Sequence, residues 1–136
     1  MITLSTYQLT TVSPANGRES DSGPSYYVFN NANVAAADGH DVPDGAYYLG
    51  RPWREYARVV FQNSELSAVI NSEGWRVWND GDERTDGVLF GEFNNSGPGA
   101  EGTRADFAEA LSAEVSIEEV LGGDYASAGY YDAAYL

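Results

Sequence analysis

Asparagine residues follow short apolar segments throughout this chain, and this pattern constrains the fold more than any other feature. They occur at positions 30–31, 63, 71, 79 and 94–95. Asparagine tolerates the left-handed backbone conformation of a sharp strand corner, and stacked asparagine side chains can hydrogen-bond to one another along a solenoid. The pattern favours a parallel β-helix, although no fixed repeat length is evident in the sequence.

The apolar segments themselves are predicted to be short β-strands. Each is bounded by Asn, Asp, Gly, Ser or Pro, which are typical of turns. Several are continuously apolar, as expected for strands buried on both faces, and the 3.6-residue period of long helices is absent. The predicted strands are residues 26–29, 46–49, 58–62, 68–70 and 87–93.

The last third of the chain has a different character. Ser116 and Glu119 form a capping-box pattern, which predicts a short helix ending at Gly122-Gly123. Residues 107–111 are interpreted as another helical turn, and the Ala- and Tyr-rich tail, residues 125–136, is expected to pack back onto the strands. The sequence thus predicts one domain over residues 1–136, strand-rich in residues 1–100, with a C-terminal helix and tail in residues 101–136.

Composition and charge exclude several classes of protein. The chain is 43% hydrophobic, too apolar for disorder despite a net charge of −14, and it has no cysteine for disulfides, thiolate catalysis or zinc. No apolar run approaches the ~18 residues of a membrane-spanning helix, and the first six residues lack the features of a signal peptide. With 21 acidic residues against 7 arginines and no lysine, the chain is not expected to bind nucleic acid or anionic membranes.

The most informative chemical motif is Gly-Arg-Pro-Trp at residues 50–53. Gly50 allows close approach of another group, and Pro52 restricts Arg51 to an extended backbone. The planar guanidinium of Arg51 then suits a carboxylate, either of an aspartate or of a sugar acid. Trp53 offers a flat apolar face of the kind that stacks on a sugar ring. The alternative is a surface ion pair beside a tryptophan that fills the core.

Three motifs in order resemble the pectin methylesterases (pectinesterases). They are residues 49–53 (Leu-Gly-Arg-Pro-Trp), residues 74–78 (Gly-Trp-Arg-Val-Trp) and residues 92–100, beginning Glu-Phe-Asn-Asn and continuing Ser-Gly-Pro-Gly-Ala. The run from Leu9 to Asn31 and the ending at residues 115–122 are also similar to that family. The resemblance implies an all-β, right-handed parallel β-helix with a short C-terminal helical segment. It also implies a secreted carbohydrate esterase that acts on methyl-esterified homogalacturonan (pectin), without cofactor or metal.

The resemblance assigns roles to three residues. Arg51 matches the family arginine that pairs with a nucleophilic aspartate and holds it ionised. Trp53 matches the tryptophan that packs on a galacturonate ring, and Trp78 matches the position that closes the Gly-Trp-x-x-Trp motif beside the substrate cleft. Trp75, by contrast, is expected to pack in the core.

The chain departs from the family at the catalytic aspartates. The family uses one aspartate as nucleophile and another as general acid and then base, in motifs resembling Gln-Asp-Thr and Asp-Phe-Ile-Phe-Gly that precede the arginine. Neither motif occurs in these 136 residues. The expectation is therefore the C-terminal part of a pectinesterase β-helix, inactive by itself because the nucleophile and the acid are missing. The alternative function is a non-catalytic β-solenoid module that binds pectin or a partner protein through its tryptophan-lined face.

Two further candidate sites are weaker. His40 is the only histidine, and the Gly-x-Ser-x-Gly elbow of a serine esterase is absent, so His40 is interpreted as a solvated turn residue. Residues 80–87 resemble a calcium loop at first sight. However, Arg84 occupies a position where an oxygen ligand belongs, so an acidic turn is the preferred interpretation and no metal site is assigned.

The charge of −14 fits either a protein adapted to high salt or an ordinary acidic extracellular protein, and it generates a prediction. If repulsion among the acids opposes folding, potassium chloride at about 1 M should screen it and raise the thermal midpoint of unfolding by a few degrees. Circular dichroism melts in dilute buffer and in molar KCl measure the change. A midpoint that does not move with salt would contradict the idea.

Overall fold

The computed structural model describes residues 2–4, 11–12 and 16–135 of the chain. Parts of the family resemblance, at Leu9 and Thr10, and the last residue of the tail, Leu136, lie outside these ranges. In the described residues the chain forms β-strands β1 (Ile2–Leu4), β2 (Thr11–Val12), β3 (Tyr27–Asn30), β4 (Asn33–Ala36), β5 (Tyr47–Tyr48), β6 (Arg58–Gln62), β7 (Glu65–Leu66), β8 (Leu89–Phe93) and β9 (Ala108–Ala110). Helix α1 spans Ile117–Leu121, and short 3-10 turns lie at Pro98–Ala100, Tyr125–Ser127 and Ala133–Tyr135.

Each of these strands pairs in parallel with a strand of the neighbouring coil. One sheet has the order β1-β4-β7, a second β2-β5, and the third β3-β6-β8-β9. Along β3, β6 and β8 paired positions recur every 31 or 32 residues, and hydrogen bonds link Ala32 to Ser64 and Ser64 to Asn95 at the same spacing. Parallel pairing between successive turns of one chain is the defining geometry of a β-helix, so the predicted parallel β-helix is confirmed.

The interior of the β-helix contains stacked aromatic rings. Phe29 lies on Phe61 and Trp75 lies on Phe90, each pair with ring centroids 4.5 Å apart and nearly parallel planes. Aliphatic side chains from the same coils complete the core: Val34, Leu49, Val59, Leu66, Val69 and Ile70. Burial of this apolar surface is the main favourable term in folding.

Three of the five predicted asparagine corners form, at residues 30–31, 63 and 94–95, whereas Asn71 and Asn79 do not adopt the left-handed conformation. Asn31, Asn63 and Asn94 directly follow β3, β6 and β8, and their φ angles of 53°, 51° and 49° lie in the left-handed region. Asn63 Nδ2 donates to Asn30 Oδ1 at 3.0 Å, and Asn94 Nδ2 donates to Asn63 Oδ1 at 2.9 Å. The ladder links three coils along one edge of the helix.

Two strand assignments differ from those expected. Residues 68–70 are not a strand: Ala68 and Val69 form a turn closed by Ile70 N donating to Ser67 O, and only Ile70 bridges to β5. The strand of this coil is instead β7, just before the turn. β4 is absent from the predicted strands, because an asparagine and two alanines give it little intrinsic β-propensity. It forms because β1 and β7 pair with it on both sides.

The expected helical turn at residues 107–111 is wrong, because this segment contains strand β9. β9 pairs with β8 and extends the third sheet, while Phe107 packs on Phe90 and Leu111 lies over Gly91. Strand structure therefore continues past residue 100, the expected limit of the strand-rich part. Tertiary pairing with an existing strand outweighs the local helical pattern of such a short segment.

The C-terminal helix agrees with the prediction. Ser116 Oγ accepts a hydrogen bond from Glu119 N, and α1 ends at Gly122, whose φ is 84°. Gln62 fastens the segment before α1 to the coils, since its side-chain amide donates to and accepts from the Val115 backbone. The tail beyond contacts α1 and folds on itself through an edge-to-face contact of Tyr125 with Tyr131. No helix in the described part of the chain is long and apolar enough to cross a membrane.

The asparagine ladder generates a testable prediction. Asn63→Ala removes the side-chain bonds and places a less suitable residue in the left-handed conformation, so the free energy of unfolding should fall by about 2 kcal/mol. Asn63→Gly keeps the backbone conformation accessible and should cost about 1 kcal/mol. Urea denaturation of both variants measures the difference. Equal losses would show that the corner conformation does not contribute.

Candidate functional site

The site begins where strand β5 leads into Gly50. Leu49 N donates to Gly74 O at 2.7 Å, and Arg76 N donates to Gly50 O at 3.0 Å. Gly50 and Trp75 pair as a parallel bridge, so the Gly-Arg-Pro-Trp segment runs beside the Gly-Trp-Arg-Val-Trp segment of the next coil. Two motifs about 25 residues apart in sequence thereby share one surface, as roughly one coil of a solenoid requires.

Trp53 is held by the chain before β3. Its backbone N–H donates to Asn16 O at 3.1 Å, while Asn16 Oδ1 accepts from Arg58 N at 3.1 Å, so the buried Asn16 ties both ends of the loop together. Pro52 is fully buried and anchors the loop to the interior of the protein. Gly17 leaves room for the indole, since a Cβ there would approach Trp53 Cδ1 to 2.9 Å. With its backbone fixed, the Trp53 side chain remains 49% exposed, available to a ligand.

The three residues proposed from the sequence lie together. The Trp53 and Trp78 rings meet edge to face at 4.9 Å, and the Arg51 guanidinium carbon lies 4.3 Å from the centre of the Trp78 ring. This is a cation–π contact, which holds the guanidinium in place without neutralising it. Trp75 is 1% exposed and lies in the aromatic core, as expected.

Arg51 is distinguished by an unsatisfied polar atom. Its Nε is buried, and no acceptor among the residues that the structure describes reaches it. Buried N–H donors without a partner are rare in folded proteins, because each forfeits its hydrogen bonds to water. The Arg51 guanidinium also has no carboxylate partner among the described residues, so its other N–H groups can bind one through charge-assisted hydrogen bonds.

Arg84 contacts both Trp53 and Trp78 and holds them in place, a role that the sequence did not predict. Its guanidinium lies 4.9 Å from the Trp78 ring centre and donates to Trp53 O, and both Nε and Nη2 bond the Asp82 carboxylate. The hydrogen bond from Arg84 holds the pKa of Asp82 below its usual value and raises the pKa of Arg84. Asp82 is thus engaged with a cation. No cluster of three metal-ligating side chains occurs in the described ranges.

A second hydrogen-bond network, formed by Glu92 and Arg104, holds the indole N–H of Trp75. Glu92 belongs to the third sequence motif, but its contact with Trp75 was not predicted. Glu92 Oε2 accepts from Trp75 Nε1 at 3.1 Å and from Arg104 Nε at 2.8 Å, while its Oε1 accepts from Arg104 Nη2. Arg104 also donates to the Ser72 and Gly99 carbonyls. This network holds the segment that carries Trp78. His40 lies elsewhere, exposed in a turn after β4.

The Asp82–Arg84 pair predicts a pH dependence. Because the pKa of Asp82 is lower in the folded chain than in the unfolded one, its ion pair stabilises the loop above pH ~4 and is lost as pH falls through the folded-state pKa. We expect the near-UV circular dichroism of the Trp53–Trp78 pair to weaken over that range. Asp82→Asn should show the weakened signal already at pH 7, and the control Asp86→Asn, in the same loop, should not. An unchanged spectrum in Asp82→Asn would contradict the bracing role.

Comparison with known proteins agrees with this arrangement. A sequence model of the Pectinesterase family matches residues 4–119. Curated pectinesterases of Aspergillus aculeatus and Aspergillus niger are 54% and 48% identical over 122 residues, which cover 90% of this chain and 36% of each relative. The crystal structure of deglycosylated pectin methylesterase from Aspergillus niger matches with a TM-score of 0.79 and 38% identity, over 91% of this chain and 39% of that one. Pectin methylesterase from carrot matches with a TM-score of 0.70 and 26% identity, over 87% of this chain and 40% of that one.

The chain therefore spans little more than a third of the length of these relatives. The match nevertheless covers most of the 136 residues and includes Arg51, Trp53 and Trp78 with all three motifs. The chain belongs to the pectinesterase family.

Proposed function

We propose that residues 1–136 are the C-terminal part of a pectinesterase β-helix that hydrolyses galacturonate methyl esters of pectin to free carboxylates and methanol. The observation that carries the proposal is the Arg51 guanidinium, which lies beside Trp53 and Trp78 and has no carboxylate partner among the described residues. In a member of this family, an arginine at this position is expected to pair with the nucleophilic aspartate. The aspartates belong, on this proposal, to coils that precede residue 1.

The proposed reaction is acyl transfer through the enzyme. The nucleophilic aspartate attacks the ester carbonyl carbon, and the second aspartate donates a proton as methanol leaves. Glutamines of the preceding coils stabilise the oxyanion. Water, deprotonated by the second aspartate, then attacks the anhydride; this releases the galacturonate carboxylate and restores the nucleophile.

Arg51 acts on the nucleophile rather than on the polymer. A guanidinium beside the aspartate lowers the pKa of the carboxyl and keeps it ionised. Its planar fork also sets the direction of the attacking oxygen, and the contact with the Trp78 ring holds the fork in place. Arg51 therefore contributes to turnover.

Trp53 and Trp78 form the aromatic surface against which the sugar packs. An exposed indole presents an apolar face that matches the C–H face of a pyranose, and Trp53 is the large aromatic side chain of the site that is open to a ligand. Methyl-esterified homogalacturonan is the proposed partner, and extracellular space the proposed location, since pectin lies outside cells.

A non-catalytic pectin-binding module is the second candidate. It is favoured by one observation: no carboxylate in the described part of the chain pairs with Arg51. The two candidates differ in a single outcome, the release of methanol once the missing aspartate motifs are supplied.

The test joins these residues to an N-terminal segment that carries both aspartate motifs and measures methanol release from methylated pectin. The joined protein should be active and the 136-residue chain alone inactive. Arg51→Lys keeps the charge but loses the fork, so kcat should fall about a hundredfold with little change in KM. Trp53→Ala should raise KM at least as much as it lowers kcat.

Arg54→Lys is the matched control, since the side chain of Arg54 is exposed and already has a carboxylate partner in Glu19. It should retain wild-type kinetics. Full turnover in Arg51→Lys would refute the role of Arg51. An inactive joined protein that still binds pectin would favour the binding module.

A further inference from the structure

Asn94 begins the only Asn-x-Ser/Thr sequence of the chain. Residues Asn94, Asn95 and Ser96 match this pattern, and the middle residue is not proline. No other asparagine of the 136 residues has a serine or threonine two positions later. The secretory pathway attaches oligosaccharides to asparagines in this sequence. Because an attached oligosaccharide is bulky and hydrophilic, the folded chain has to leave such an asparagine at its surface.

The three residues of this sequence lie at the corner after β8 and differ in their surroundings. Asn94 is exposed, with a left-handed backbone at φ 49°. Asn95 is tied to the preceding coil, because its Nδ2 donates to Phe61 O and its Oδ1 accepts from Ser64 N, both at 3.0 Å. Ser96 is exposed, and its backbone N–H donates to Ser64 O at 2.9 Å. The corner therefore holds Asn95 with the coils and leaves Asn94 and Ser96 at the surface.

The side-chain amide of Asn94 uses one of its two N–H groups within the described part of the chain. Asn94 Nδ2 donates to Asn63 Oδ1 at 2.9 Å, whereas Asn63 Nδ2 donates both to Asn30 and to Glu114. Asn94 is also the last residue of the asparagine ladder, since strand β9 on the next coil is followed by Leu111 and not by asparagine. A sugar can thus replace one hydrogen of the Asn94 amide while the ladder bond remains.

The corner after β8 is separate from the candidate site. Arg51 and Trp53 follow strand β5, which belongs to the second sheet, whereas Asn94 follows β8 in the third sheet. Asn94 does not line the cleft beside Trp53 or the cleft beside Trp75. An oligosaccharide on Asn94 therefore does not occupy either cleft.

We propose that Asn94 is an N-glycosylation site of this protein. The inference rests on the proposed extracellular location and goes beyond the esterase activity. The co-substrate is an oligosaccharide linked through N-acetylglucosamine to a lipid pyrophosphate. Asn94 Nδ2 forms a bond to the anomeric carbon of that sugar, the bond from this carbon to the phosphate oxygen breaks, and the lipid pyrophosphate leaves with the electron pair. Nδ2 gives one proton to a base of the transferring enzyme, and its remaining N–H donates to Asn63.

The test expresses the 136-residue chain behind a cleavable signal peptide in a fungal secretory host. The secreted chain should carry one oligosaccharide, and peptide N-glycosidase should remove it and leave aspartate at position 94, which peptide mass spectrometry detects. Ser96→Ala should abolish the modification, because it removes the hydroxyl of the sequence and leaves Asn94 in the ladder. Ser96→Thr should retain the modification. The control Ser112→Ala changes another exposed serine and should be modified as the wild type is.

A folding measurement separates loss of the site from loss of structure. Ser96→Ala produced in a bacterium, without glycosylation, should have the same thermal midpoint of unfolding as the wild type produced in the same way. A wild-type chain secreted without a sugar on Asn94 overturns the inference, and so does a sugar found only on chain that is retained inside the cell. Modification of Asn94 in Ser96→Ala also overturns it. None of these results changes the proposed pectinesterase function, which is measured separately as methanol release.

Discussion

The parallel pairing of Gly50 with Trp75 is the contact on which the site depends. It sets two coils in register, so that Arg51 emerges beside Arg76 while Trp75 enters the core. The pairing is closed by Arg76 N, which donates to Gly50 O at 3.0 Å, and the buried Trp75 gives the second strand an apolar anchor among Phe61 and Phe90. A slip of one residue would exchange the inward and outward side chains, which places Trp75 in solvent and an arginine in the core.

Around that pairing, acidic side chains form ion pairs with some arginines and leave others without a carboxylate partner. Asp82 engages Arg84, and Glu92 engages Arg104, and in each case the paired arginine also holds backbone carbonyls. Arg84 holds the Trp53 backbone, and Arg104 holds Trp75 through Glu92. Arg51 and Arg76 are left to contact aromatic rings, which orient a guanidinium but do not cancel its charge.

Much of the fold and the centre of the site could be predicted from sequence, because their signals are local. The asparagine corners follow from the backbone preference of one residue type, and the capping box from a four-residue pattern. Arg51, Trp53 and Trp78 lie in motifs that the family resemblance carries. The core position of Trp75 follows from the same motifs.

The remaining elements depend on contacts between distant coils, which a local pattern does not encode. β4 and β9 form because neighbouring strands pair with them, although their own residues favour other structures. The contacts of Asn16 and of Arg84 with the Trp53 backbone join segments that are separate in sequence. The missing partner of Arg51 also becomes visible only when its burial is known.

The central claim is that the Arg51 guanidinium binds the carboxylate of a catalytic aspartate. A crystal structure of this chain joined to the preceding aspartate-bearing coils tests it most directly. The account predicts an aspartate oxygen about 2.7–2.9 Å from a guanidinium nitrogen of Arg51, with the guanidinium still over the Trp78 ring. An Arg51 that bonds only solvent or a backbone carbonyl, with the aspartates placed elsewhere, would contradict it.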